Sequence, residues 1–72
     1  MSEKLEKSAK QYELIAAELE KASQHYRTAA KHFRDKEIPR GASHAYAGWG
    51  HINQAETLLK AESVVHADNS TP

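Results

Sequence analysis

The stretch from Leu5 to Phe33 constrains this chain more than any other. Leu5, Tyr12, Leu19, Tyr26 and Phe33 recur at every seventh position, and Ser8, Ala9, Ile15, Ala16, Ala22, Ser23, Ala29 and Ala30 stand between them. A large apolar residue once per heptad, with small residues three or four places away, marks a long helix with a narrow, Ala-rich seam. Neither Pro nor Gly interrupts the chain before Pro39. The pattern therefore predicts one helix from about residue 3 to about residue 34. Ser2 is placed to cap it, and Glu3 sits in its first turn, where the helix dipole favours a negative charge. Glu3 with Lys7 and Glu6 with Lys10 are surface pairs one turn apart, each adding about 0.2–0.5 kcal/mol.

The break is Asp35-Lys36-Glu37-Ile38-Pro39-Arg40-Gly41. Pro39 disfavours helical geometry at Ile38 and itself suits the first turn of a new helix. A turn near residues 35–38 follows, then a second helix from about 39 to about 66. A turn that short makes the two helices antiparallel neighbours. On the second helix Ala45, Ile52 and Leu59 read as the central line, flanked by Ala42, Gly48, Trp49, Ala55 and Leu58. Folding the hairpin about residue 37 sets Tyr26 opposite Gly48 and Ala22 opposite Ile52, so that large faces small. Gly48 and Gly50 each cost roughly 1 kcal/mol in a helix relative to Ala, a cost that packing usually offsets. Residues 67–72 are small and polar and read as a frayed tail. The expected fold is all-α, a single antiparallel helical hairpin over residues 1–66.

A hairpin of 72 residues cannot enclose a core, because each helix covers one side of the other. Hydrophobic residues are 39% of the chain, yet twelve of those 28 are Ala, so large apolar side chains are few. Without Cys there is neither a disulfide nor a thiolate metal site to compensate. Self-association is the remaining remedy: two hairpins sharing a four-helix core as a homodimer. The expected interface residues are Tyr12, Leu19, Tyr26, Phe33, Gly48, Trp49, Ile52, Leu58 and Leu59.

Ten basic residues balance ten acidic ones. A net charge of zero offers no basic field for nucleic acid or for an anionic membrane surface. No apolar run approaches a membrane span, and MSEKLEKSAK lacks the apolar segment of a signal peptide. A soluble, cytoplasmic protein is the expectation.

Five His in so short a chain call for an account. His25 and His32 are seven apart on the first helix, and His44 and His51 are seven apart on the second. In the antiparallel pairing His25 stands level with His51 and His32 with His44. Each precedes a residue of its helix's apolar line, so each lies about 100° behind it. Reversing helix direction mirrors that rotation, and all four imidazoles fall on one side of the hairpin in two rungs. Leu58 and Val65 continue that line. Neutral imidazoles are good ligands for zinc, nickel or copper. Residues seven apart on one helix are separated by about 10 Å, so only cross-helix pairs can share an ion. The other reading makes these His partly buried, hydrogen-bonding residues of an interface, with pH-sensitive assembly as a further role. Tyr46 and Trp49 point to the other side of the second helix, where aromatic residues suit contact with a partner. Glu62 lies near the seam, within reach of Tyr12.

The segment from Ala29-Ala30-Lys31-His32-Phe33 through Gly41-Ala42-Ser43-His44-Ala45 to Gly50-His51 resembles small Ala- and His-rich bacterial proteins read as helical hairpins, of uncharacterised function. His32, Ala42, His44, Ala45, Gly50 and His51 match their pattern over roughly residues 22–60. Those relatives often carry His where this chain has Phe33, Tyr46, Trp49 and Ile52. The resemblance implies the fold and says little about activity.

No nucleophile sits in a recognisable motif, and a hairpin offers no deep pocket. The expected function is therefore a non-enzymatic, self-associating assembly or interaction module whose first partner is a second copy of itself. The alternative is a transition-metal binding or buffering protein using His25, His32, His44 and His51.

Overall fold

The computed structural model describes residues 2–69, apart from the side chains at positions 2 and 69. It consists of α1 (Ser2–Arg34) and α2 (Ile38–Asn69), packed antiparallel. The capping role expected of the Ser2 side chain, and residues 70–72 of the expected tail, lie outside what is described. The second helix runs past the expected end near residue 66 to Asn69. Neither helix is long and apolar enough to cross a membrane. The molecule measures 53 × 22 × 13 Å, as two helices lying side by side. Its Cα radius of gyration is 16.5 Å, against about 11 Å for a compact chain of this length. The excess reflects the 53 Å length of two helices lying side by side.

The turn is built by backbone hydrogen bonds. The Lys36 N–H donates to the Phe33 carbonyl (3.0 Å) and the Glu37 N–H to the His32 carbonyl (2.8 Å). Together they form the paired closure that ends many helices, with Lys36 in the left-handed region at φ 60°. The Gly41 N–H then donates to the Glu37 carbonyl at 2.9 Å, the first bond of α2. The helix opens at Ile38, one residue earlier than expected. Pro39 stands within its first turn, where a missing N–H costs nothing.

The buried column of α1 is Ile15, Ala22 and Ala29, which are 5%, 1% and 4% exposed. Leu5, Tyr12, Leu19, Tyr26 and Phe33 flank that column and remain exposed. On α2 the buried column is Gly41, Gly48, Ala55 and Glu62. This corrects the expectation that Ala45, Ile52 and Leu59 form the central line, since Ala45 and Ile52 are half-buried and Leu59 is exposed. The physical reason is closeness: with Gly or Ala at the line of contact the backbones approach, and larger side chains must splay to either side. Two aromatic rings close over the glycines. A Cβ on Gly41 would stand 2.8 Å from Phe33 Cε2, and one on Gly48 would stand 3.1 Å from Tyr26 Cζ. Tyr26 thus meets Gly48 as expected. Gly50 has no such reason, because nothing lies within 4 Å of where its Cβ would be.

Residues three and four places from each buried position fall on opposite sides of the seam. One broad face carries Tyr12, Leu19, Tyr26 and Phe33 from α1 beside Ile52 and Leu59 from α2. Leu19, Ala22, Tyr26 and Ile52 line a shallow groove there. Tyr46 and Trp49 stand edge to face at the rim of this side, with ring centroids 5.8 Å apart and planes at 85°. The other face carries Glu18, His25 and His32 from α1 beside His44 and His51 from α2.

Candidate functional site

The imidazoles of the second face form a ladder. His25 stacks on His51 with centroids 5.4 Å apart and planes at 15°, and His32 stacks on His44 at 5.3 Å and 19°. These are the two level pairs expected from the spacing. The rungs are also joined, because His25 Nδ1 and His44 Nδ1 share a hydrogen bond of 3.2 Å, one ring donating and the other accepting according to tautomer.

A carboxylate stands at each end. His51 Nδ1 lies 2.6 Å from Glu18 Oε2, and His32 Nδ1 lies 3.4 Å from Glu37 Oε2. The donor role of His51 Nδ1 is therefore assigned from its carboxylate neighbour, which leaves Nε2 of that ring with the lone pair. Glu18 is held in turn. With its amide nitrogen facing the carboxylate, Gln54 donates to Oε1 and Oε2 of Glu18 at 3.0 and 2.9 Å. Lys21 Nζ approaches Oε1 at 3.9 Å. At the other end Arg40 Nη1 donates to Glu37 Oε2 at 3.1 Å. Glu18, His51 and His32 are 17%, 24% and 21% exposed at their side chains, so the ladder is shielded but reachable.

The order along the face is Glu18, His51, His25, His44, His32, Glu37. Hydrogen-bonding or ion-pair contacts join the first two, the middle two and the last two. Stacking joins the rest, and stacked rings pass no proton between them. The ladder is thus three polar pairs laid end to end, not a continuous proton wire.

Sequence reasoning placed the four His together but missed Glu18, Gln54 and Glu37. Glu18 is one heptad before His25 in the same column as His32, so extending the His column by one step would have found it. Gln54 lies one turn beyond His51. Glu37 has no periodic signal, because the turn folds it back over the end of α1. Among the described residues, no three His, Asp or Glu side chains converge into a ready-made metal group.

The other expected site residues divide between the faces. Tyr12, Leu19, Tyr26, Phe33, Trp49, Ile52 and Leu59 belong to the apolar face. Gly48 is inside the seam. Leu58 is half-buried on the imidazole side, beside Glu18, Gln54 and Thr57. The expected contact of Glu62 with Tyr12 is not made. The Tyr12 hydroxyl and His66 Nε2 share a hydrogen bond of 2.9 Å instead. Glu62 is 4% exposed, and its Oε1 has no hydrogen-bond partner among the described residues.

Compared with family models, with curated proteins and with solved structures, the chain matches none.

Proposed function

We propose that this protein is a non-enzymatic assembly module that works as a homodimer, two hairpins joining their apolar faces into a four-helix bundle. One observation carries the reading. Tyr12, Leu19, Tyr26, Phe33, Trp49 and Leu59 are each 42–52% exposed along one side of a hairpin whose buried apolar residues, among those described, are Ile15, Ala22, Ala29 and Ala55. Aligned apolar side chains of this size mark an interaction surface. Covering one of them is worth about 1.5–3 kcal/mol if burial is complete. Three small alanines and one isoleucine supply little of that within a single copy. Joining the apolar faces leaves the imidazole ladder on the outside of the bundle.

The test is sedimentation equilibrium together with thermal unfolding across a hundredfold range of protein concentration. A dimer with a melting temperature that rises with concentration is expected. Leu19→Glu combined with Leu59→Glu places charges on the face without touching the seam, and should yield monomers. A folded monomer at high concentration, with a melting temperature independent of dilution, would overturn the reading.

A further inference from the structure

We infer that the middle of the ladder is a binding site for a borderline transition-metal ion of the zinc class, held by His25 Nδ1 and His44 Nδ1. The inference does not depend on dimerisation, because the ladder lies on the face away from the apolar row.

The geometry is close to that of a metal-bound pair. Two nitrogens that each lie 2.0–2.1 Å from a tetrahedral zinc are about 3.3 Å apart. His25 Nδ1 and His44 Nδ1 are 3.2 Å apart, on different helices, with their rings already turned towards each other. The ion sits slightly off the line between them, so each ring needs only a modest rotation to aim its lone pair. The exchange balances without an added reactant. In the empty site one ring carries the shared proton on Nδ1. That ring takes the other tautomer, with its proton on Nε2, and both Nδ1 lone pairs then face the metal.

The surroundings suit a dication. Glu18 and Glu37 bring two carboxylates to the ends of the ladder, partly offset by Lys21 and Arg40. Each carboxylate faces the Nδ1 of a flanking imidazole, His51 or His32. These pairs hold in place the two rings that stack on the proposed ligands. His51 and His32 are stacked on the two primary ligands, and solvent is left to complete the shell. Imidazole selects zinc, nickel or copper over magnesium or calcium, which prefer oxygen. Ligands on both helices mean that the ion also ties α1 to α2.

The experiment is calorimetric titration of Zn2+ into the chelator-stripped full chain, with helicity checked by circular dichroism. One ion per chain is expected, with a rise in melting temperature. His25→Gln and His44→Gln should each weaken binding at least tenfold, while His66→Gln, which lies off the ladder, should not. Zn2+ should bind with the same stoichiometry per chain whether sedimentation finds the folded chain monomeric or dimeric, which separates this inference from the assembly reading. Imidazole 15N shifts should place the metal on Nδ1 of His25 and His44. Absence of saturable binding, unaltered affinity in folded His25→Gln, or metal on Nε2 of these two rings would each overturn the assignment.

Discussion

The ring of Tyr26 lies across Gly48: a Cβ at position 48 would stand 3.1 Å from Tyr26 Cζ and 3.2 Å from both Cε atoms. The contact needs a residue without a side chain on α2 and a flat one on α1, and it belongs to the same seam as Phe33 over Gly41. Gly48→Leu therefore drives a branched side chain into the line where the helices approach. A loss of about 1–3 kcal/mol is expected, as for overpacking elsewhere. For a chain of this size each kcal/mol lowers the melting temperature by roughly 4–8 °C. Thermal unfolding at fixed protein concentration checks it, and unchanged stability would argue against this register.

Gly50, two residues on, should behave in the opposite way. Its would-be Cβ meets nothing within 4 Å, and its φ is not positive. Gly50→Ala then restores helix propensity without a clash, worth about 1 kcal/mol. Denaturant unfolding should show a higher midpoint with an unchanged slope. A destabilised Gly50→Ala chain would mean that something packs on this position in the assembled protein.

The contrast between these glycines shows where the sequence was legible. Heptad spacing from Leu5 to Phe33 and the break at Pro39 specify two antiparallel helices, because periodicity and proline act locally. Equal seven-residue spacing of His on both helices predicts the two stacked rungs for the same reason. The buried column of α2 was misread because large apolar residues, Ile52 and Leu59, draw attention to themselves. Close helix packing selects the smallest residues instead, and Gly41, Gly48 and Ala55 carry no hydrophobic signal. Glu62 in that column is less legible still, since nothing in a charged residue announces burial. Glu37 joins the ladder through the path of the turn, which spacing along a helix does not encode.

Glu18 holds one end of the ladder through His51 at 2.6 Å and receives the Gln54 amide. Both partners of the His51 contact are less than a quarter exposed at their side chains, so solvent screening leaves much of its strength. Hydrogen bonds to charged groups contribute about 1.5–3 kcal/mol, and pairs in one network couple by about 0.5–3 kcal/mol. A double-mutant cycle of Glu18→Gln and His51→Gln should show coupling of about 1 kcal/mol in unfolding free energy. Additive losses would mean that the two side chains do not depend on each other.

Glu62 continues the column of Gly41, Gly48 and Ala55, yet brings a carboxylate into it with Oε1 buried and, among the described residues, unpartnered. Glu62 lines a cleft near the open end of the hairpin together with Lys4, Lys7, Ser8, Gln11 and Val65. An unsatisfied buried acceptor costs about 1–3 kcal/mol. Glu62→Ala removes that cost and extends the small-residue column, but gives up the packing of two methylenes. Two methylenes at about 0.8 kcal/mol each offset much of that relief, so a net gain of at most about 1 kcal/mol is expected. Denaturant unfolding of the variant beside the unaltered chain measures it. A loss of stability instead would mean that a donor reaches this carboxylate in solution and that Glu62 pins the open ends of the helices together.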